Sequence, residues 1–244
     1  AWLDILIESR VARLPEAQAE LVRAAAVIGN VIPSWLLESI TGCGEDHPLV
    51  KGLAAQDFVF PGEREGTLRF KHGIARDVIY DSVGFHQRNA LHLRIAQALL
   101  RRGSIAPGED HCEALAYHFD AAGLADQAAR YAEQAGDKAM AVSALDRAQA
   151  QYRAALAALD RSEPSAQLAL RWNAISQRLG LACVFNPARS ELPLFQRALV
   201  LAESSGDAAT IARATYWLGY IHYALGDARQ RGVDGSVDLD RAFY

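Results

Sequence analysis

The side chains best placed to do chemistry lie in residues 70–96, FKHGIARDVIYDSVGFHQRNALHLRIA. His72 follows a strand-like run directly and precedes a helical one. A helix N-terminus presents unpaired N–H groups and partial positive charge, which suits a phosphate. An imidazole there adds a donor whose charge can answer to an anion. A His that only caps the helix or bonds locally fits the same place, and position alone favours that simpler role. A second cluster, Glu109, Asp110, His111, Cys112 and Glu113 with His118 nearby, holds metal-ligating residue types. On a helix these side chains diverge, so they do not converge on one ion. Acidic residues at a helix start explain them more simply. No GxxxxGK followed by Ser or Thr occurs, nor GxSxG, nor HExxH, so the usual nucleotide, nucleophile and zinc signatures are missing. Sequence reasoning therefore assigns no catalytic residue and no metal site.

The elements that would hold residues 70–96 fall on either side of it. Residues 1–13 read as the end of a helix. Leu14 and Pro15 open another, with Ala17, Leu21, Ala24, Ala25 and Ile28 at helical spacing and Gly29 as its stop. Short helices follow over residues 35–40 and 47–56. Phe58, Val59 and Phe60 then form a strand-like run, residues 61–66 a charged Gly-containing turn, and residues 67–70 a returning strand. Three short helices followed by a hairpin is the order of a winged-helix domain, placed at residues 14–83. Phe70 and Ile74 are expected in its core. A linking helix and loop occupy residues 84–108.

Helices are then expected near residues 110–122, 125–140, 142–160, 165–183, 190–205 and 208–225. Ala128, Ala132 and Ala135 recur as Ala148, Tyr152 and Ala155, and again as Phe195, Ala198 and Ala202. This reads as a divergent helical repeat over residues 109–229. Leu218-Gly219 followed by Gly226-Asp227 resembles the first helix of a tetratricopeptide repeat, in which a small residue admits a partner helix. Residues 230–244 read as a frayed or truncated tail. The expected fold class is mostly α: a winged helix with a small β-hairpin, then an α-solenoid of divergent tetratricopeptide-like pairs.

Composition narrows the partners. The 244 residues suffice for about two domains. The net charge of −4 gives no general attraction to nucleic acid or to an anionic membrane. The candidate recognition helix, HPLVKGLAAQ, carries one Lys and no Arg, and the wing GEREG sets one Arg between two Glu. A DNA reader needs phosphate-neutralising residues there. No apolar run reaches the length of a bilayer span. Three widely spaced cysteines, Cys43, Cys112 and Cys183, suggest reduced thiols and a cytoplasmic protein. The chain opens mid-helix without an initiator Met and reads as a piece of a longer protein.

Four stretches together resemble a known family: LPEAQAELVRAAAVIGNVI, LVKGLAAQDFV, RFKHGIARDVIYDSV and RNALHLRIA. They are similar to the region that follows the ATPase module in bacterial signal-transduction ATPases with numerous domains. Among these are large proteins with a class III adenylate/guanylate cyclase domain or a DNA-binding domain. Phe70, His72, Tyr80, Arg88 and His92 carry most of the resemblance, which covers residues 14–159. It implies a non-catalytic regulatory segment that relays the nucleotide state of an ATPase module and binds a protein or peptide through its repeats. In that family a His within a Met-His-Asp motif contacts the ADP phosphate. His72 falls at the matching place, but its neighbours are Lys71 and Gly73, so the Asp-dependent part of that contact is missing. The resemblance implies no cofactor in this segment and ATP or ADP in the full-length parent. The alternative function is a transcription regulator that reads DNA with the winged helix.

Overall fold

Pro15 to Gly29 shows how local chemistry builds the first unit. Pro15 sits at the cap with φ −53°, Glu16 meets the positive end of the helix dipole, and Gly29 ends the helix at φ 143°. The structure, a computed structural model, describes residues 2–105 and 110–226. The chain divides into two units, Ala1–Leu124 and Ala125–Tyr244. Both are mostly helical, and the first also carries a small three-stranded antiparallel sheet.

The first unit runs α1 (Trp2–Ala12), α2 (Glu16–Ile28), β1 (Val31–Pro33), α3 (Ser34–Thr41), α4 (Pro48–Ala55), β2 (Val59–Pro61), β3 (Thr67–Phe70), α5 (Gly73–Ser82), α6 (Phe85–Ile105) and α7 (Cys112–Ala121). Helix α2 is its hub and packs on α3, α4, α5 and α6. Its small and branched residues Ala25, Ala26, Val22 and Val27 are sealed from solvent, which lets those neighbours approach closely. The sheet order is β1-β3-β2, with Ile32 opposite Leu68 and Phe60 opposite Arg69. Strand β1 was not expected from sequence. It is three residues long, too short for a period-two pattern to register, and Pro33 argues against a strand. Pro33 is accommodated because β1 lies at the sheet edge, and buried Ile32 anchors it. Of the two core residues expected at the joint, Phe70 is buried, but Ile74 is 55% exposed. Ile74 lies in the first turn of α5, and that helix turns Ile79 inward instead.

The second unit runs α8 (Ala125–Ala141), α9 (Leu145–Leu159), α10 (Ala166–Ala182), a 3-10 turn (Arg189–Glu191), α11 (Leu192–Ser205) and α12 (Ala208–Ala224). Each helix packs on the next, and α10 also packs on α12. Ser165 and Asp207 start α10 and α12 by accepting from Leu168 N–H and Thr210 N–H. The recurring residues Ala128, Ala132, Ala135, Ala148, Tyr152, Ala155, Phe195, Ala198 and Ala202 are all buried. The closest helix approaches lie at two other small residues. A Cβ on Gly136 would stand 2.5 Å from the Tyr152 ring, and one on Gly180 would stand 2.5 Å from the Trp217 ring. Gly219, the position expected to admit a partner helix, meets nothing within 4 Å among the described residues.

Polar braces tie these helices together. Arg178 pairs with Glu133 at 2.7 Å and Asp137 at 3.1 Å, and Arg171 pairs with Asp126 at 2.8 Å. Partly exposed pairs contribute only about 0–1 kcal/mol each, so ring-on-helix packing dominates. Glu191 is nearly sealed and accepts from Arg153 Nε at 2.9 Å, and Arg153 also donates to Gln149 at 3.0 Å. Gln149 in turn donates to the Ala182 carbonyl at 2.8 Å. Cys43, Cys112 and Cys183 are buried and none is in a disulfide. No described helix is long and apolar enough to cross a membrane. The tail expected at residues 230–244 lies outside the described residues.

Replacing Gly180 or Gly136 by Ala should lower stability by about 1–2 kcal/mol. Overpacking of roughly 1–3 kcal/mol outweighs the smaller helix-propensity gain. Gly219→Ala, with open space around it, should instead stabilise by about 0.5–1 kcal/mol. Urea-denaturation midpoints of the three variants check this. A common sign for all three would refute the packing account.

Candidate functional site

His72 is the residue before α5, with φ −135° and ψ 130°, and its side chain forms no capping hydrogen bond. It is exposed. Its placement follows from both sides. Phe70 N–H donates to the Asn30 carbonyl at 3.3 Å, Lys71 N–H donates to the Phe58 carbonyl at 3.2 Å, and the His72 carbonyl accepts from Ala75 N–H at 3.0 Å. The simpler reading of His72 as a side-chain cap is therefore not what the structure contains. The imidazole stands at the mouth of a ten-residue helix, facing solvent.

The far end of α5 carries a denser arrangement. Tyr80 hydroxyl lies 3.0 Å from His92 Nε2, and His92 Nδ1 lies 2.8 Å from His118 Nδ1. Three helices, α5, α6 and α7, thus meet through one hydrogen-bonded chain. Both imidazoles are buried, His92 completely. Tyr117 closes the cluster, its ring 5.5 Å from that of His92 and nearly perpendicular to it. Two guanidinium groups flank the Tyr80 ring, Arg76 at 4.7 Å and Arg88 at 4.8 Å from its centre. Arg76 is fixed by donating Nε–H to the Ala26 carbonyl of α2 at 2.8 Å. Its other face meets Asp77 at 3.0 Å, and Arg88 reaches Asp81 at 3.8 Å.

Electrostatics set the protonation of this chain. Burial, reinforced by Arg88 and Arg76, pulls His92 down to about 4. Burial, then His92 and Arg76, pulls His118 down to about 3. Both rings are therefore neutral at pH 7. Burial, and then the hydrogen bond shared with Tyr117, push Tyr80 above its ordinary value. Two neutral imidazoles facing each other through Nδ1 share a single proton, so the tautomer of one ring fixes that of the other. The arrangement couples helix positions. It contains no activated nucleophile, and burial holds the Cys183 thiol elsewhere in the chain protonated, pushed up to about 12.

Sequence reasoning named His72, Tyr80, Arg88 and His92 but did not bring His92 to His118. It placed His118 beside the acidic group 109–113, whereas His118 turns into the helix packing and meets α6. Glu109 lies outside the described residues, and no three His, Cys, Asp or Glu side chains among the described residues form a group that could hold a metal. A signal for the pair was present. His92 shares one face of α6 with Ile95, Ala96 and Leu99, and His118 follows Leu115 and precedes Phe119. A His at core spacing on each of two successive helices invites a pairing. The aromatic residues of α12 differ among themselves. Trp217 is buried, Tyr216 and Tyr223 are exposed, and Tyr220 donates its hydroxyl to the Val184 carbonyl at 2.8 Å.

Tyr80→Phe should keep the ring between its two guanidinium groups and leave His92 Nε2 without its partner. The expected cost is about 1–3 kcal/mol, the usual penalty for orphaning a buried polar group. Equilibrium unfolding in urea measures it, and a loss below about 0.5 kcal/mol would show that the hydroxyl contributes little. Comparison with protein-family models, with curated proteins and with solved structures found no match to this chain.

Proposed function

We propose that the chain is a non-catalytic regulatory segment of a signalling protein. It would relay the nucleotide state of an ATPase module that contacts it at His72, and it would bind a protein or peptide through its helical repeats. The observation that carries this reading is the continuity of α5. The helix begins beside exposed His72 and carries in its last turn Tyr80, which is bonded through His92 to His118. A displacement of the helix start by a phosphate at His72 has a hydrogen-bonded route through Tyr80 and His92 into α6 and α7.

In this reading the first unit is a winged helix. The order of helices and strands from α2 to β3, the sheet order β1-β3-β2 and the charged turn over residues 62–66 support it. Helices α8 to α12 are read as divergent repeats, supported by their stepwise packing and by the bridges from α10 back to α8. A repeat array offers an extended surface to a partner chain. The DNA-reading alternative has less in its favour. Lys51, the one basic residue of α4, is engaged by Asp46 at 3.0 Å. DNA binding needs free cationic groups aimed at phosphates.

His72→Ala in the full-length parent should raise basal output and weaken ADP binding, since it removes a donor to the phosphate. Unchanged basal output together with unchanged ADP affinity would overturn the relay. A gel-shift at low salt, using the 244-residue chain and random duplex DNA, should show no tight binding. Tight binding that collapses steeply with salt would favour the transcription-regulator reading.

A further inference from the structure

The buried histidine pair has a consequence independent of any nucleotide. Its Nδ1 atoms stand 2.8 Å apart, a distance that one bridging proton makes favourable and two facing protons forbid. In the neutral pair one ring donates Nδ1–H to the bare Nδ1 of the other. The donor ring then has a bare Nε2, and the acceptor ring carries its proton on Nε2. A first added proton from solvent can settle on the bare Nε2 and leave the bridge intact. If that nitrogen belongs to His92, the Tyr80 hydroxyl must turn from donor to acceptor. A second added proton has only the acceptor Nδ1 left. Both Nδ1 atoms then carry N–H, both rings are cationic, and the contact is lost.

We propose that His92 and His118 form an acid-opened clasp, which holds α7 on α6 while both rings are neutral and releases it when both are protonated.

The surroundings favour opening over retention of the charges. Helix α5 contributes Arg76 and Tyr80 to the neighbourhood, α6 contributes Arg88, and α7 contributes Tyr117. The charged groups acting on the rings are Arg76 and Arg88, both cationic. The carboxylates of Asp77 and Asp81 lie on the solvent side of those arginines, 63% and 80% exposed, where water screens them. On α2 the Ala26 carbonyl is occupied by Arg76, and on α3 the Ile40 carbonyl is occupied by Arg94. Two imidazolium rings at this site would therefore meet repulsion from each other and from both guanidinium groups. Part of the remaining hold on α7 does not titrate: it includes buried Leu115, Ala116 and Phe119, and the Asn89 amide oriented to donate to the Ala121 carbonyl at 3.1 Å.

The sign follows from linkage. Each His has a lower proton affinity when clasped than when free. The clasp is at full strength above about pH 6.5, the free imidazole value, and weakens as pH falls toward 4 and 3. Because opening takes up two protons, it steepens beyond a single-site titration.

The test uses the full 244-residue chain. Hydrogen exchange of residues 112–121, corrected for intrinsic rates, should lose about tenfold or more protection between pH 7 and pH 4.5, while α8 to α12 lose far less. In the same window, NMR of the histidine Cε1–H signals should show two imidazoles that stay neutral well below pH 6 and then titrate together as α7 opens. The doubly substituted chain His92→Gln with His118→Gln should keep a polar contact and lose the acid response. Ordinary titration of both rings near pH 6.5 would overturn the proposal. So would protection of α7 that falls only in step with the second unit. If the double variant does not fold, the wild-type titration and exchange decide the matter alone.

Discussion

Two imidazole rings shut away from water, with no anion bonded to either, can remain so only while they are neutral. This condition fixes much of the first unit. It requires His92 and His118 to satisfy each other through Nδ1, and it requires Tyr80 to meet His92 Nε2. It also requires three helices to hold their positions to within hydrogen-bond tolerance, since an unpaired buried polar group costs a few kcal/mol. The flanking arginines enforce the neutrality. Arg76 and Arg88 lie over the Tyr80 ring; both lower the proton affinity of His92, and Arg76 also lowers that of His118. Helix α2 underlies the arrangement, because its alanines and valines let α5 and α6 come close and its Ala26 carbonyl fixes Arg76.

The second unit meets a different constraint, since its core is built largely from alanine. Small side chains provide little apolar area individually, so the large rings among them matter most. Tyr152 and Trp172 are fully buried, and each also finds a carboxylate for its polar atom. Tyr152 donates to Asp137 at 2.8 Å, and Trp172 Nε1 donates to Asp160 at 2.9 Å. The same carboxylates pair with Arg178 and Arg197. Each aromatic thus packs through its ring and is oriented through its tip. No Cβ fits at Gly136 against the Tyr152 ring or at Gly180 against the Trp217 ring.

The two units differ in how much of this was visible in the sequence. In the second, the alternation of small and large residues at helical spacing marked both the helices and the faces they bury. Ala148, Tyr152 and Ala155 are an example, each at most 1% exposed. The tight approach expected at Gly219 falls at Gly136 and Gly180 instead, because a glycine in a pattern says that a gap is possible and only the neighbouring ring says which gap is filled. In the first unit β1 escaped notice because three residues ending in Pro carry no periodicity. Ile74 was expected inside and lies outside, since one apolar residue in a first helical turn does not fix the rotation of its helix.

Residue type and spacing by themselves determined that the chain is mostly helical with a short hairpin. They also singled out residues 70–96 by their mixture of His, Arg and Tyr, and placed His72 at the start of a helix. These are local properties, set by backbone preference, capping chemistry and period. Tertiary structure decided that His92 and His118, 26 residues apart, share one proton. It also decided that Tyr80 lies between two guanidinium groups and that α7 belongs with the helices before it. Such pairings depend on the angles at which helices pack, and those angles are settled by the summed contacts of many side chains. No single segment of the sequence contains that sum.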